Sequence, residues 1–416
     1  MSKRTENKSI PVTKQMVWQA YKKVKRNNGS AGIDRVNLEA FGQNLDKNLY
    51  KLWNRLASGS YFPPAVKEVT IPKRDGRQRK LGIPTVGDRI AQQVIKDYFE
   101  PRLEAEFHEG SYGYRPNKSA HQAIAAVQSN VRKYGWVIDM DIRGFFDEMD
   151  HELLMKALRR HVEEKWVLMY IKRWLEAPIV KPTGETVFKQ GKGTPQGGVI
   201  SPLLANLYLH YTMDKWLDMY YPQNPFVRYA DDIIVHCTGQ GEAEKLLDQI
   251  KGRLKKCSLE LQEQKSKIVY CQDYRRKPQR TCKKFEFLGF SFRPESLPSR
   301  KGGMFLGYTC TISTASQKRI NEEIKRTRFH RRSEAEITDL AKQFNPKIRG
   351  WVNYYGKYGK RGLEKVFRVF HERLVKWVLN KYKGFKMQIH RAYKYLHEQR
   401  RMNPSLFYHW ENGYSI

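Results

Sequence analysis

The sequence has 416 residues, enough for two or three domains with their own cores. It carries 77 Lys and Arg against 43 Asp and Glu, a net charge of +34. This excess favours nucleic acid as the partner, because neutralising phosphates releases counterions, although a ribosomal-type or merely basic protein fits the charge as well. No apolar run reaches the roughly 18 residues of a membrane span, which argues against a membrane protein.

The start of the chain and the cysteines indicate a reduced, cytosolic protein. The first residues, Met-Ser-Lys-Arg-Thr-Glu-Asn-Lys, lack the apolar segment of a secretory signal. The five cysteines are widely spaced and form neither a Cys-x-x-Cys pair nor a His/Cys cluster. We therefore expect neither a disulfide framework nor structural zinc.

The first part of the chain shows alternating helical and strand-like apolar spacing. In chain order it predicts a helix over 12–28, a turn at 29–32, a helix over 38–57, a strand over 66–72, a polar turn over 73–80 and a helix over 88–103.

The middle of the chain repeats this alternation more tightly. It predicts a strand over 136–141, a helix over 150–161, a Gly/Pro-rich segment over 191–202, a helix over 202–220, a hairpin of strands 226–229 and 233–237, a helix around 246–254 and a strand over 267–271. Strand, helix, hairpin, helix and strand in this order predict a split βαβ sheet of ferredoxin-like type.

The composition changes after residue 292. Residues 293–303 are interpreted as a linker or an exposed hairpin, two alternatives that the sequence leaves open. Residues 311–416 carry 24 Lys and Arg against nine Asp and Glu, interleaved with Trp and Tyr. Basic helices with aromatic rings suit a nucleic-acid clamp, although we expect most of these rings to be packing core.

Two adjacent acids, Asp231 and Asp232, lie between the predicted strands of the hairpin. Like charges this close repel each other unless a cation or solvent compensates. Taken alone, such a pair is more often a solvated turn than a metal site.

A second acidic group ends the strand 136–141, where alternation puts Asp139 and Asp141 on one face. Three carboxylates from two neighbouring strands could hold two Mg²⁺ ions for phosphoryl transfer. Asp139 and the nearby Asp147 are interpreted as surface or capping acids.

The glycine-rich segment 191–198 matches neither a Walker loop nor a dinucleotide fingerprint. It could bring backbone close to a base pair or sugar, with Gln196 as a hydrogen-bonding side chain, or be an ordinary turn before a helix. Lys73 and Arg79 could similarly hold a triphosphate or be solvated.

In their order along the chain, these motifs resemble those of group II intron reverse transcriptase/maturases, over nearly the whole length. The matching segments are 28–34 (N-terminal extension), 71–84 and 111–116 (fingers), 141–146, 193–206 and 229–232 (palm), 287–290 (primer grip) and 349–356 (thumb or maturase domain).

The resemblance implies an α+β fold, a right-hand polymerase with fingers and a ferredoxin-like palm built on an antiparallel sheet, followed by an α-helical thumb/maturase domain. The domains expected are 1–135 (N-terminal extension and fingers), 136–292 (palm with interleaved fingers elements, the reverse transcriptase domain spanning approximately 60–292) and 293–416 (thumb/maturase).

The resemblance also implies roles for single residues. Asp141, Asp231 and Asp232 would be catalytic and, with the Ile142 carbonyl, would bind two Mg²⁺ per active site. The dNTP contacts would be Lys73, Arg79, Phe146 and Gln196, the primer grip Phe287, Leu288 and Gly289, and further nucleic-acid contacts Arg115, Lys265, Arg349, Trp351 and Tyr354.

The expected activity is RNA-directed DNA polymerisation on an RNA template with a DNA primer, together with binding of structured intron RNA and of target DNA. No Cys-pair or His-Asn-His endonuclease pattern occurs up to Ile416, so a form lacking the endonuclease, with little or no DNA-binding appendage, is expected. The alternatives are a splicing cofactor acting without polymerisation, or an enzyme adopted for host DNA repair or CRISPR spacer acquisition. Neighbouring genes would discriminate these alternatives, and the oligomeric state is left open.

Overall fold

The computed structural model describes residues 10–72, 78–299, 302–385 and 388–414. The helices are α1 (Lys14–Asn27), α2 (Leu38–Gln43), α3 (Leu45–Ala57), α4 (Val86–Glu106), α5 (Ala120–Lys133), α6 (Phe145–Glu148), α7 (His151–Leu158), α8 (Lys165–Glu176), α9 (Ser201–Leu209), α10 (Lys215–Tyr220), α11 (Gln240–Lys256), α12 (Thr314–Arg326), α13 (Ile337–Tyr355), α14 (Lys360–Lys381), α15 (Ile389–Met402) and α16 (Tyr408–Glu411). The strands are β1 (Val66–Pro72), β2 (Gln78–Ile83), β3 (Trp136–Asp141), β4 (Ile179–Val180), β5 (Thr186–Val187), β6 (Phe226–Tyr229), β7 (Asp232–Cys237), β8 (Lys267–Tyr270), β9 (Phe285–Phe287), β10 (Phe290–Pro298) and β11 (Met304–Ile312).

The chain forms two compact units. The first comprises the described parts of Met1–Ala123 and Ile138–Ile268, and the second those of Ile124–Val137 and Val269–Ile416. None of the helices in the described ranges is long and apolar enough to cross a membrane.

A four-stranded sheet in the order β6-β7-β3-β8 carries the acidic hairpin of the first unit, and β3 and β8 continue into the second unit. Counted along the chain these strands stand in the order 2-3-1-4, which is the order of a split βαβ sheet. Ile233 to Cys237 are all buried, because α11 packs against this strand. The predicted ferredoxin-like arrangement of this sheet is therefore present.

A second sheet of the first unit, in the order β2-β1-β4-β5, begins with the antiparallel hairpin of β1 and β2. Its register pairs Ile71 with Arg79, which fixes Arg79 near the turn end of the hairpin. Lys73 and the first part of the predicted turn over 73–80 fall within 73–77, outside the described residues, and residues 78–80 belong to β2.

Two predicted helices differ in the structure. The helix expected over 38–57 is interrupted at Asn44, whose φ of −123° and ψ of 48° are not helical. The helix expected over 202–220 contains a π-helical turn at His210–Asp214 between α9 and α10. Apolar periodicity does not reveal either irregularity, because it reports only which face is buried.

The second unit begins with a three-stranded sheet in the order β11-β10-β9. The pairing of β10 with β11 runs from Phe290↔Ile312 to Pro298↔Met304, so the described residues of 293–303 belong to a hairpin, one of the two predicted alternatives. Helices follow, around an aromatic core that includes Phe329, Phe344 and Phe370.

Fewer of the Trp and Tyr rings of residues 311–416 are buried than the sequence predicts. The sequence predicts that most of these rings are packing core. Of the eleven Trp and Tyr residues of 311–416, four are buried, Tyr355, Trp377, Trp410 and Tyr414. The half-buried rings are Trp351, Tyr354, Tyr358, Tyr382, Tyr395 and Tyr408, and Tyr393 is exposed.

His371 and His409 form a buried pair in this aromatic core. Their Nε2 atoms lie 2.7 Å apart, and Trp410 Nε1 donates to His371 Nε2 at 3.3 Å. Burial, with smaller contributions from the charges of Arg400 and His397, lowers the pKa of His371 to about 3. Burial, the charge of His371 and that of Arg400 lower the pKa of His409 well below its ordinary value. Both rings are therefore neutral in the folded chain at neutral pH.

We expect acid to destabilise the chain through this pair. The folded pKa of His371 lies below its ordinary value of 6.5, so below pH 6.5 the unfolded chain binds a proton that the folded chain does not. The contribution of each buried histidine to the free energy of unfolding is therefore fully present above pH 6.5. It falls by about 1.4 kcal/mol per pH unit as the pH drops towards 3.

Urea unfolding of the whole chain between about pH 7 and pH 5 measures this slope. The variant His371→Gln should reduce the slope by about one proton. The matched variant His390→Gln changes an exposed histidine and should leave it unchanged. Equal slopes for the wild type and His371→Gln would contradict the assignment.

Candidate active site

The acidic hairpin places Asp231 at the tip of a two-residue loop. Tyr229 pairs with Asp232 across the hairpin, so Ala230 and Asp231 form the loop. Ala230 has a φ of 57°, in the left-handed region that costs a residue with a Cβ about 1–2 kcal/mol. Asp232 is exposed at the start of β7, whereas Asp231 is partly buried.

A neighbouring segment holds this strained loop in place. Tyr112 N donates to Arg228 O at 2.8 Å, so the segment runs alongside β6. A Cβ on Gly113 would clash with the backbone nitrogen of Ala230. Only glycine allows this approach, and residues 110–113 thus support the loop from one side.

A buried polar network fixes the strand that leads into the loop. Arg228 is fully buried and donates from Nε and Nη2 to the Asp214 carboxylate at 2.8 and 2.5 Å. Its Nη1 donates to Asn206 Oδ1 at 3.0 Å and to Ala230 O at 3.3 Å. Asn206 in turn donates to Gly113 O at 2.7 Å. The network therefore holds both the loop and its supporting segment.

Asp141 ends β3 and pairs with Lys265. The Lys265 Nζ lies 2.7 Å from Asp141 Oδ2, with the lysine side chain 50% exposed. Gln262 N donates to Asp141 O at 2.8 Å, which aligns the segment after α11 with the end of β3. Lys265, predicted as a nucleic-acid contact, is therefore a charge partner of a predicted catalytic acid.

The sequence interprets the two remaining acids of this region as surface or capping acids; Asp147 is exposed, whereas the side chain of Asp139 is only 16% exposed. Asp139 lies 3.8 Å from Lys267 Nζ in an ion pair, and Asp147 is exposed on α6.

The charges of Asp231 and Asp141 interact with each other. Burial raises the pKa of Asp231, and the negative charge of Asp141 raises it further, while Arg79 and Lys265 act in the opposite direction. Burial and the charge of Asp231 also raise the pKa of Tyr114. Two carboxylates and two cations therefore act on one another at this place, where an anionic substrate and a cation could meet.

The predicted dNTP contacts Arg79 and Gln196 lie together. Arg79 Nε donates to Gln196 Oε1 at 2.7 Å, and Gly82 N donates to Gln196 O at 2.7 Å. Gly197, with a φ of 120°, approaches Gly82 O so closely that a Cβ would not fit. The glycine-rich segment is thus attached to β2.

The same segment also reaches Phe146. Thr194 N donates to Phe146 O at 2.8 Å, and a Cβ on Gly193 would lie 2.7 Å from Asp147 O. The Phe146 ring packs edge-on against Phe145 and is nearly buried. Ile142 is buried and forms an isolated bridge with Leu261.

The predicted primer grip lies in the second unit. Leu288 and Gly289 both have positive φ, 50° and 80°, and connect β9 to β10. Tyr354 donates from its hydroxyl to Leu288 O at 2.9 Å, and Ser316 Oγ donates to Gly289 O at 3.1 Å. Phe287 is buried. Tyr354, predicted to bind nucleic acid, thus anchors this loop with its hydroxyl.

Arg115 requires a correction, because its guanidinium is bound inside the protein. It pairs with Glu104 at 2.7 Å, with its side chain only 6% exposed, and donates to the carbonyls of His108 and Ser111. Few of the guanidinium N–H groups remain to bind a phosphate. We therefore assign Arg115 to stabilising the loop between α4 and α5.

Arg349 and Trp351 remain predicted nucleic-acid contacts. Arg349 is exposed, with its Cζ 5.1 Å above the Tyr408 ring, and Trp351 is half-buried.

The acids do not form a ready-made metal cage. Across the described residues, no group of three or more His, Cys, Asp or Glu side chains is arranged to hold a metal ion. The carboxylate of Asp141 forms an ion pair with Lys265, and Asp232 is exposed. The donors are nevertheless carboxylate oxygens, which Mg²⁺ prefers, and the mutual repulsion of Asp141 and Asp231 is what a divalent cation would relieve. The residues present therefore fit a divalent metal.

Sequence reasoning missed the supporting residues Gly113, Asn206 and Asp214. The available signal was Arg228, a charged residue in an otherwise apolar strand, because a buried charge needs a partner. The sequence does not say where that partner lies.

Comparison with known proteins agrees with this geometry. Residues 71–292 match the reverse transcriptase (RNA-dependent DNA polymerase) family, and residues 317–396 match the group II intron, maturase-specific domain. Protein YkfC of Escherichia coli K12 is 32% identical over 280 residues, 58% of this chain and 73% of that protein.

Two intron proteins are also similar. Group II intron-encoded protein LtrA of Lactococcus lactis subsp. cremoris is 32% identical over 199 residues, 48% of this chain and 33% of LtrA. The putative COX1/OXI3 intron 1 protein of Saccharomyces cerevisiae is 30% identical over 212 residues, 51% of this chain and 25% of that protein. The chain thus matches about a third or less of these two relatives. With both domain matches in one sequence, it belongs to the reverse transcriptase family, in the group II intron reverse transcriptase/maturase class.

Proposed function

We propose that the chain is an RNA-directed DNA polymerase that adds dNTPs to a primer 3′-OH by two-metal phosphoryl transfer. The observation that carries this proposal is that β3, which ends at Asp141, is the sheet neighbour of β7, which begins at Asp232 directly after Asp231. In a chain of the reverse transcriptase family, carboxylates and a cation in this arrangement suit a nucleoside triphosphate and its metal ions.

Each group has a role in this proposal. Asp141, Asp231, Asp232 and the Ile142 carbonyl would hold two Mg²⁺ ions, which supply positive charge to the attacking and leaving oxygens. Arg79, together with Lys73, would bind the triphosphate, and Gln196, which accepts a hydrogen bond from Arg79, would contact the nucleotide. Lys265 keeps a positive charge beside Asp141.

Primer extension tests the proposal. The purified chain, an RNA template with an annealed DNA primer, dNTPs and Mg²⁺ should yield extended primer, and EDTA should abolish the product. Extension that survives removal of divalent metal, or that does not depend on the template, would contradict it.

We expect Phe146 to exclude ribonucleotides. The Phe146 ring packs against Phe145, and the Phe146 carbonyl accepts a hydrogen bond from Thr194 N in the glycine-rich segment. A large side chain is therefore fixed next to the segment that carries Gln196. The variant Phe146→Ala should raise incorporation of rNTP relative to dNTP by about tenfold or more, because removing a steric clash of a kilocalorie or two changes a rate ratio by that factor.

The matched variant Phe62→Ala removes an exposed ring elsewhere and should leave the ratio unchanged. Competition between one rNTP and the corresponding dNTP measures the discrimination directly. An unchanged ratio in Phe146→Ala would show that this ring does not select between the two sugars.

A second role, binding of intron RNA to assist splicing, is favoured by the match of 317–396 to the maturase-specific domain. The excess of Lys and Arg over residues 311–416 supplies charge for structured RNA, and target DNA would be the further partner in intron mobility. Splicing of a precursor RNA with and without the chain tests this role, which fails if the splicing rate does not change.

A further inference from the structure

A cavity of about 930 Å³ opens on the first unit, between the end of α7, the π-helical turn with α10, and α11. The residues predicted for polymerisation, dNTP binding or the primer grip do not line it. Four aromatic rings and four Lys or Arg side chains line it, Tyr211, Trp216, Tyr220, Tyr221, Arg160, Lys215, Arg253 and Lys256.

Tyr211 lines this cavity, with two cations over its ring. Arg160 Cζ is 5.5 Å and Lys215 Nζ is 5.3 Å from the ring centroid. The Tyr211 hydroxyl lies 2.6 Å from His161 Nε2, which fixes the ring. Two positive charges are therefore gathered over one immobilised ring, an arrangement that attracts an anion.

The outer wall is aromatic and open to solvent. Trp216 packs with Tyr221 at 5.0 Å between ring centroids and with Tyr220 at 6.3 Å. Tyr220 is 62% exposed and Met219 beside it is 69% exposed. Leaving such large apolar groups in water forgoes the free energy of burying them, so a flat partner that covers them would bind favourably.

The positive charges are not neutralised locally. Arg160, Lys215 and Lys256 form no ion pair with a carboxylate in the described part of the chain. Arg253 differs, because its guanidinium donates to the carbonyls of Thr212 and Tyr211 and supports the π-helical turn. Glu106 is the single acidic residue of the lining. The cavity therefore has a net positive charge, complementary to phosphate.

We propose that this cavity is a second nucleic-acid site, which binds a single-stranded RNA segment apart from the template–primer. An unstacked base would lie on Tyr220 and Trp216, and an adjoining phosphate would lie near Arg160 and Lys215. Rings beside cations are the combination by which proteins hold single strands, with stacking for the base and charge for the backbone. The proposal rests on RNA as a partner of the chain but requires no polymerisation.

Binding of a short fluorescein-labelled oligouridine to the full chain, followed by anisotropy at several salt concentrations, tests the stacking. Tyr220→Ala should weaken binding about fivefold or more, because each stacked base contributes on that scale. Tyr220→Phe keeps the ring and should bind like the wild type. Equal affinities of all three proteins would overturn the proposal.

The charge is tested by a matched pair of lysines. Lys215→Ala should weaken binding and lower the slope of log K against log salt by about 0.7, the value for one phosphate contact on a single strand. Lys245→Ala removes an exposed lysine of α11 that lies outside the cavity and should leave the slope unchanged. Equal losses in the two variants would indicate a general charge effect and overturn the proposal.

Three further measurements separate the alternatives. Crosslinking of an oligonucleotide containing 4-thiouridine should map to the peptide around Tyr211–Tyr221, and crosslinks confined to other peptides would count against the site. Sedimentation velocity distinguishes a protein partner: if Tyr220→Ala dissociates a dimer while RNA affinity is unchanged, the cavity is an interface between copies.

Tyr220→Ala should extend a short template–primer at the wild-type rate, so loss of this site is distinguishable from loss of polymerisation.

Discussion

Replacing Asp231 with asparagine is expected to slow primer extension by at least about a thousandfold, equivalent to about 4 kcal/mol of transition-state stabilisation. Asparagine has nearly the same shape but lacks the charge that, with Asp141, would attract divalent metal. The loop conformation depends on Ala230 and on Arg228, which the substitution does not alter. Single-turnover extension with saturating template–primer measures the loss.

The matched variant is Asp147→Asn, which makes the same chemical change at an exposed acid of the first unit. It should extend primers within about threefold of the wild type, as surface changes usually do. RNA binding by Asp231→Asn should also be unchanged, because a single neutralised acid removes no cation. Near wild-type extension by Asp231→Asn would remove it from the catalytic acids.

The second large effect concerns stability. Arg228→Leu should lower the free energy of unfolding by about 3–5 kcal/mol, because it leaves the carboxylate of Asp214 buried without its partner. Both side chains are completely buried. Chemical denaturation monitored by tryptophan fluorescence measures the change.

An exposed pair provides the control. Arg143 lies 3.5 Å from Glu260, with side chains 70% and 71% exposed, and Arg143→Leu should change the free energy of unfolding by less than about 1 kcal/mol. The double variant Arg228→Leu/Asp214→Leu should recover part of the loss, since it removes both buried charges. A double variant less stable than Arg228→Leu would show that packing around these residues, rather than the unpaired charge, controls stability.

The sequence predicted the elements that carry a regular pattern. The split βαβ sheet followed from the apolar strands and the helical stripe of α11, because burial on a sheet imposes a period that can be read locally. The proximity of Arg79 and Gln196, 117 residues apart, was expected only through the family resemblance.

The contacts that the sequence does not predict depend on tertiary structure. Arg115 was predicted as a nucleic-acid contact because it is an arginine in a motif, but only the fold brings Glu104 to it. The pairing of Lys265 with Asp141 likewise depends on two segments 124 residues apart. Local pattern cannot distinguish a cation that meets phosphate from one that meets a carboxylate.

The π-helical turn at His210–Asp214 changes which side chains can cooperate along its helix. Asn206 and Asp214 are eight residues apart, and in a regular α-helix that spacing would rotate them about 80° from each other. One extra residue in the π-helical turn gives them nearly the angular spacing of seven residues, about 20°. Both can therefore meet the same guanidinium of Arg228. Winding these same residues as a regular α-helix would turn the two partners about 80° apart, so the wide turn itself, and not only the composition of the helix, is required by the arginine it serves.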